Sequence, residues 1–247
     1  LLLNLTRLLK RRRQKKMSKK VFLGVGHGGK DPGAIGNGFE EADLNLSIAL
    51  ACQAELVRHG VIVGMGRTKD ENNDLSEEIR ECNAFNPDLA IDIHNNAGGG
   101  DGAEAYYHCG GGKSKTLAEN VLKEITAIGQ NSRGTKIKKN AVGTDYFGFI
   151  RETVAPAIII ECAFVDNAKD IQIIDTAAEQ KKMGVAIAKG ILKTLGVSVK
   201  TEKTISDYIA VLNKLGIITN VPLWSEKATK DNSVYWLIRK MAEYIEK

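Results

Sequence analysis

The chain has 247 residues, of which 43% are hydrophobic and 26% charged, and this composition excludes a disordered or fibrous protein. Its length allows one sizeable core and a small second one. The formal net charge of the chain is +5. Residues 1–16 contain seven of the 35 Lys and Arg residues and no Asp or Glu, so the rest of the chain has a net charge of −2. The overall positive charge therefore does not indicate a nucleic-acid partner.

The basic stretch at residues 1–16 precedes Met17 and places its apolar residues before its basic ones. A signal peptide has the reverse order and ends in a small-residue cleavage site. We therefore interpret this stretch as a non-native or upstream-translated leader and Met17 as the natural start. A basic amphipathic membrane helix is the alternative interpretation.

Two further features bear on the compartment of the protein. No apolar run reaches the length of a bilayer span. The four cysteines are scattered and form no C-x-x-C pair, which favours reduced, structural thiols. We expect a soluble protein that is made in the cytoplasm without a signal peptide and has no stable membrane association.

Strand and helix patterns alternate over residues 17–197. Strands are predicted at 21–25, 61–65, 89–93, 103–108 and 157–160, a short strand or turn at 147–151, and helices at 43–59, 75–85 behind Asp74 as N-cap, 115–128 and 170–195. This alternation predicts an α/β fold with an open, twisted, mostly parallel sheet and helices on both faces.

Polar residues follow three of the predicted strands. His27 comes after the first strand, His94 after the strand at 89–93, and Glu161 after the strand at 157–160. In open α/β sheets ligands bind at the carboxyl ends of the strands, so these side chains should meet at one edge. The loop at 30–38 should bring Glu41 back towards His27. Two imidazoles and two carboxylates are the set used by a catalytic zinc site with three protein ligands, an open water position and a separate acid/base.

Four motifs carry a resemblance to a known family. They are GHGGKDPGA at 26–34, Glu41-Ala42-Asp43 opening a helix, IHNNA at 93–97 and PAIIIECAFVDN at 156–167. Together they resemble the zinc-dependent N-acetylmuramoyl-L-alanine amidases of the Amidase_3 type, over residues 21–195.

The resemblance implies that His27, Glu41 and His94 hold zinc and that Glu161 is the catalytic carboxylate. It also implies hydrolysis of the amide bond between N-acetylmuramic acid and L-alanine in peptidoglycan. Glu40 is the rival to Glu41, because the register inside a loop cannot be read from sequence. Asp92 and Cys162 stand where such enzymes more often have Ser and a small or β-branched residue, and we expect neither to touch a ligand.

Other functions compete with this one. Residues 24–29, GVGHGG, also satisfy the dinucleotide fingerprint G-x-G-x-x-G, and Arg67 could then contact a 2′-phosphate. That interpretation is disfavoured because Asp31-Pro32-Gly33 stands where the phosphate-binding helix should begin. Another zinc peptidase or amidohydrolase, and a non-catalytic cell-wall-binding module, remain alternatives. Because we find no export signal in the sequence, the enzyme would need another route out of the cell, and this favours a phage endolysin over a bacterial wall hydrolase.

The sequence predicts a separate helical domain at 204–247, after the polar linker KTEKT at 200–204. Helices are predicted at 205–215 and 233–245, around a turn that contains Pro222 and Trp224. Five of the fourteen aromatic residues lie here, and we favour a core role over carbohydrate stacking for most of them. Wall targeting, docking on the catalytic domain and homo-oligomer formation through these helices are all open.

Overall fold

The computed structural model describes residues 18–199 and 204–245. The described residues form two compact units, and the division falls between Val199 and Lys200. The leader predicted at 1–16 and most of the predicted linker lie outside the described residues. None of the helices in the described ranges has the length and apolar character of a membrane span.

The first unit is built on a mixed, mostly parallel sheet. In spatial order its six strands are β4 (Ile62–Met65), β1 (Lys20–Val25), β5 (Leu89–Asn96), β8 (Ala157–Phe164), β6 (Ala103–Tyr107) and β7 (Ser132–Lys136). β6 runs antiparallel to β8, and β7 runs parallel to β6. A separate hairpin is formed by β2 (Ile35–Gly36) and β3 (Phe39–Glu40).

Among the described residues, six helices surround this sheet. They are α1 (Glu41–Arg58), α2 (Leu75–Phe85), α3 (Lys113–Ala127), α4 (Gly148–Glu152), α5 (Ala168–Ile171) and α6 (Ala177–Leu195). Successive strand residues point to opposite faces, and the two faces are covered differently. The main core, which includes Leu23, Ile91 and Ile160, lies beneath α1, α3 and α6. On the other face a small cluster around Phe22 and Phe149 leaves room for polar side chains.

Several predicted elements differ from the structure. A strand or turn is predicted at 147–151, but residues 148–151 lie in the helix α4 and Phe147 is its N-cap. A helix this short has no periodic pattern that the sequence could show. The long helix expected at 170–195 is two helices, since Asn167 caps α5 and Thr176 caps α6 with their side-chain oxygens. The strand β7 was not predicted, because its sequence SRGTK is polar throughout.

Cysteine burial agrees with structural thiols. All four cysteines are free, and Cys52, Cys82 and Cys162 are buried while Cys109 is partly exposed. Burial raises the pKa of the Cys82 thiol to about 12, so this side chain stays protonated and unreactive.

The second unit contains three helices among its described residues, α7 (Ile205–Lys214), α8 (Val221–Lys230) and α9 (Asn232–Ile245). The predicted turn around Pro222 and Trp224 was wrong: these residues lie in the first turn of α8, where proline is tolerated because its missing N–H would have no intrahelical partner. The core role predicted for most aromatics is confirmed for Tyr208, Trp224 and Tyr235, whereas Trp236 and Tyr244 are exposed.

Candidate active site

The histidines and Glu161 lie along neighbouring strands. His27 follows β1, as predicted, but His94 and Glu161 lie inside β5 and β8 and not after their ends. In the parallel pairing of β5 with β8, His94 stands directly beside Glu161. Both belong to the less covered face of the sheet, so their side chains are available for chemistry.

Glu41 and not Glu40 joins the histidines. Glu41 is the first residue of α1 and only 4% exposed, whereas Glu40 ends the hairpin strand β3 and is exposed. Backbone amides of Ala34 and Asn95 donate to Oε2 and Oε1 of Glu41 at 2.9 and 3.1 Å. These two amides, one before β2 and one on β5, hold the Glu41 carboxylate in one orientation.

Each oxygen of Glu41 faces a different histidine. Oε2 lies 3.2 Å from Nε2 of His27, and Oε1 lies 2.9 Å from Nδ1 of His94. One ligand atom from each of the three residues lies within 4.8 Å of the others. The structure therefore brings His27, Glu41 and His94 into a group that could hold a metal ion.

Charge in this group is strongly coupled. Burial acts to raise the pKa of Glu41, but hydrogen bonds from His27 and His94 outweigh it and hold that pKa far below its ordinary value. The hydrogen bond to Glu41 raises the pKa of His27. Burial acts to lower the pKa of His94, yet the charge of Asp92 and hydrogen bonds to Asp92 and Glu41 raise it well above the usual value. Without a metal, the carboxylate is thus neutralised by imidazolium groups.

The outer nitrogen of each histidine meets an aspartate. Asp31 Oδ2 accepts a hydrogen bond from Nδ1 of His27 at 2.8 Å, and Asp92 Oδ2 accepts one from Nε2 of His94 at 3.2 Å. A carboxylate behind a metal-binding histidine fixes its tautomer and orientation. The expectation that Asp92 touches no ligand was therefore wrong. The signal was its position two residues before His94, which puts both side chains on one face of β5.

Gly24 on β1 and Gly26 just after it make room for the pair on β5. A Cβ atom at Gly26 would lie 2.1 Å from Cε1 of His94, and one at Gly24 would lie 2.7 Å from Oδ1 of Asp92. Any side chain at either position would displace His94 or Asp92. Gly24 and Gly26 thus leave space for the side chains of Asp92 and His94. In a dinucleotide-binding site, the corresponding glycines leave space for the pyrophosphate.

Glu161 has an unpaired oxygen at the site. Its Oε2 atom is buried and has no hydrogen-bond partner among the residues that the structure describes. Burial raises the pKa of this carboxyl to about 7. A carboxyl group with such a pKa, beside a possible metal site, is suited to exchange protons near neutral pH.

These donors fit a zinc ion. Two imidazoles and one carboxylate suit zinc, and a catalytic zinc site keeps a fourth position open. The nitrogens that face the centre, Nε2 of His27 and Nδ1 of His94, have their opposite nitrogens tied to carboxylates, which leaves a lone pair for the metal in the neutral ring. A cavity of about 260 Å³, lined by both histidines, Asp92, Phe147 and Ile159, adjoins the group.

A second cluster of possible ligands, His108, Cys109 and Asp145, fits a metal less well. Nδ1 of His108 accepts a hydrogen bond from the backbone N–H of Gly110 at 3.0 Å. Nε2 of the neutral ring then carries the proton, and it lies 3.2 Å from Oδ2 of Asp145. The ring has no lone pair left, so the cluster stabilises a turn.

Arg67 also has a structural role. Its buried guanidinium donates to the backbone carbonyls of Val25, Gly26 and Ala42. It therefore fixes the loop that follows β1 and is not available for a 2′-phosphate.

Comparison with known proteins identifies the family. The family Amidase_3, described as N-acetylmuramoyl-L-alanine amidase, matches residues 21–193. The chain belongs to this family. The amidase CwlM of Bacillus licheniformis is 33% identical over 183 residues, which cover 72% of this chain and 70% of CwlM. The endolysin of Bacillus phage SPP1 is 32% identical over 194 residues, covering 75% of this chain and 69% of that protein.

Solved structures share the amidase fold. Cwp6 from Clostridium difficile has a TM-score of 0.71 and 37% identity over 72% of this chain, although the match spans only 29% of Cwp6. The catalytic domain of CwlV, an N-acetylmuramoyl-L-alanine amidase, has a TM-score of 0.66 and 29% identity over 73% of this chain and 99% of its own. This Amidase_3 chain is accordingly an amidase that hydrolyses the bond between N-acetylmuramic acid and L-alanine in peptidoglycan.

Proposed function

We propose that the hydrolysis uses a zinc ion held by His27, Glu41 and His94, with Glu161 as the acid/base. The observation that carries this proposal is the convergence of one nitrogen from each histidine on the two oxygens of Glu41, 3.2 and 2.9 Å away. Both rings are held from behind by aspartates, as metal-binding histidines usually are.

A zinc ion bound there would supply Lewis acidity, polarising the scissile carbonyl and lowering the pKa of a water molecule. Glu161 stands beside His94 and has a pKa of about 7, which burial causes. As general base it takes a proton from the attacking water, and as general acid it returns that proton to the nitrogen of the leaving L-alanine. The products are a free lactyl carboxylate on the glycan and a peptide with a new amino terminus.

Lysis of the cell wall is the biological role that we propose for this reaction. The relative in Bacillus phage SPP1 carries the name endolysin, which supports action on the wall after release from the cell that makes the enzyme. Residues 17–197 would carry the catalysis. Residues 204–247 would then modify where the enzyme acts, through the wall or through a second copy of the chain.

A matched pair of variants tests the assignment of ligand and base. Glu41→Gln should lose zinc, whereas Glu161→Gln should keep zinc and its melting temperature in the zinc-loaded state but lose on the order of 10²- to 10⁴-fold in rate. Zinc content, thermal melting and the release of peptides with an amino-terminal alanine are measured for both. Glu40→Gln, an exposed neighbour, is the control and should match the wild type.

Three outcomes would contradict the proposal. Zinc lost from Glu161→Gln but kept by Glu41→Gln would show that ligand and base are exchanged. Cleavage that exposes a terminus other than alanine would indicate a zinc peptidase. Binding to purified walls without cleavage, by the zinc-loaded wild type, would indicate a non-catalytic wall-binding module.

A further inference from the structure

A row of charged residues extends from the candidate metal site across the sheet. Glu161 on β8 stands directly beside His94 on one side and Glu104 on β6 on the other. The next strand, β7, carries Arg133 and Lys136, whose side chains reach back to Glu104. Neighbouring strands lie about 4.8 Å apart, so β7 lies about 10 Å from the backbone of Glu161.

Glu104 holds these two cations in place. It is buried, and its Oε2 atom accepts hydrogen bonds from Nε of Arg133 at 2.6 Å and from Nζ of Lys136. Oε1 accepts from the Tyr106 hydroxyl at 2.8 Å and from the Asn96 amide at 3.3 Å. Burial acts to raise the pKa of Glu104, but Lys136 and Arg133 outweigh it and lower that pKa. Two cations share one carboxylate, so the group keeps one positive charge.

The outer end of the Arg133 guanidinium is free to bind a ligand. Glu104 is bonded to Nε, and within the described part of the chain neither Nη1 nor Nη2 of Arg133 makes a hydrogen bond. The guanidinium carbon lies 5.0 Å from the centre of the Phe164 ring, which supports the side chain from one side. The side chains of Arg133 and Lys136 are 37% and 33% exposed. A planar fork with two free N–H groups is the arrangement that binds a carboxylate bidentately.

We propose that Arg133 and Lys136 form a subsite for a carboxylate of the peptide part of the substrate. This inference rests on the proposed function, since Glu161 marks where the scissile amide lies. The amide-linked lactyl group and the N-acetylated sugars are uncharged, so the peptide carries the free carboxylates at this bond. Two to three extended residues span about 7–10 Å, which matches the distance from Glu161 to β7. The subsite would position the leaving peptide and select for its charge.

The test compares two soluble muropeptides that differ only in charge, one with free peptide carboxylates and one with carboxamides in their place. The zinc-loaded full chain should have the lower KM for the carboxylate form. Arg133→Gln should raise that KM about 10-fold, as expected for a partly exposed charge-assisted hydrogen bond, and move the ratio of kcat/KM for the two substrates towards one. Arg133→Lys keeps the pairing with Glu104 but loses the fork, and should show an intermediate ratio.

Equilibrium binding gives a readout that is independent of turnover. The released peptide should bind the metal-free wild type more tightly than it binds metal-free Arg133→Gln, and this difference should shrink with added salt. Lys115→Gln is the matched control: it removes the same charge from an exposed pair with Glu119 on α3 and should keep the wild-type ratio.

The outcomes separate this inference from the proposed function. Equal kcat/KM of the wild type for both substrates, or equal losses on both in Arg133→Gln, would overturn the subsite and leave Glu104, Arg133 and Lys136 as a structural clamp between β6 and β7. Unchanged peptide binding in metal-free Arg133→Gln would overturn it as well. Failure of the zinc-loaded wild type to release any alanine-terminated peptide would instead contradict the proposed function.

Discussion

The Oδ2 atom of Asp92 lies 3.2 Å from Nε2 of His94, on the side of the ring away from Glu41. The contact requires a buried carboxylate on β5, close to the buried side chain of Glu78 on α2. Burial and the charge of Asp92 raise the pKa of Glu78 to about 7, which shows how unfavourable two carboxylates are here. Asp92 therefore repels Glu78, but it orients His94 and stabilises the protonated form of that ring.

Asp92→Asn should weaken zinc binding without destabilising the fold. Loss of the carboxylate behind a ligating histidine typically lowers metal affinity about 10- to 100-fold. The unfolding free energy of the metal-free protein should change little, because the repulsion between Asp92 and Glu78 is removed together with the attraction between Asp92 and protonated His94. Competition with a chromophoric chelator and denaturant melts measure the two effects. Asp88→Asn, just before the other end of β5, is the control, and equal zinc affinity in Asp92→Asn would contradict the role.

Asp31→Asn should have a smaller effect on zinc affinity than Asp92→Asn. Both aspartates accept a hydrogen bond from a histidine, but the side chain of Asp31 is 68% exposed and that of Asp92 is 4% exposed. Water can replace an exposed partner at little cost, whereas a buried partner has no substitute. The same chelator competition ranks the two variants. A larger loss in Asp31→Asn would contradict this reasoning.

Zinc uptake should release protons at slightly acid pH. The pKa values of His27 and His94 are raised in the metal-free protein, so these rings are protonated over a wider range, and zinc binds only the neutral form. Affinity should therefore rise with pH until both raised pKa values are passed. Calorimetry at pH 6.5 in buffers of different ionisation enthalpy should show about one to two protons released per zinc, and fewer at higher pH. No proton release at pH 6.5 would contradict the raised pKa values.

Glu161→Gln should stabilise the metal-free protein, by an amount that grows as pH rises from 4.5 to about 7. The pKa of Glu161 is raised from 4.5 to about 7, so between these values the folded protein holds a proton that the unfolded chain releases. The unfolding free energy of the wild type therefore falls as pH rises from 4.5 to about 7. The amide side chain of the variant does not titrate, so the variant does not lose this stability. At pH 8 the variant should gain on the order of 1–3 kcal/mol, and at pH 4 nothing. Chelator-treated samples in denaturant melts test this, and a pH-independent difference would contradict it.

A chain ending at Val199 should fold and cleave soluble muropeptide. Among the described residues, the main core and the side chains packed against it extend to Val197, and those of the second unit begin at Ile205. All proposed site residues belong to the first unit. Activity should fall mainly on intact walls. A folded but inactive truncated chain would show that residues 204–247 complete the site.

Local sequence signals correctly predicted the bounds of three helices. Asp74 accepts hydrogen bonds from the backbone of Ser76 and Glu77, as its predicted capping role requires, and α2 spans the predicted 75–85. α7 and α9 likewise begin and end within one residue of the prediction. Hydrophobic periodicity and caps act over one or two turns, so they are visible in sequence.

Strand direction and pairing depended on distant residues. The pattern of residues 103–107 is the same in either direction, and only the pairing with β8 makes β6 antiparallel. The same pairing puts Glu104 beside Glu161, and β7, which sequence reading missed, brings Arg133 to it. A row of side chains that spans four strands has no local signature.

The sequence by itself determined which residues could do the chemistry. GHGG, IHNNA and the apolar run before Glu161 put two histidines and a glutamate in or next to buried strands, where polar side chains are unfavourable without a partner. Tertiary structure decided how they are used. The first turn of α1 selected Glu41 over Glu40, and the loop after β1 and the face of β5 placed Asp31 and Asp92 behind the histidines. These choices follow from hydrogen-bond geometry between segments far apart in the chain, which spacing along the sequence does not encode.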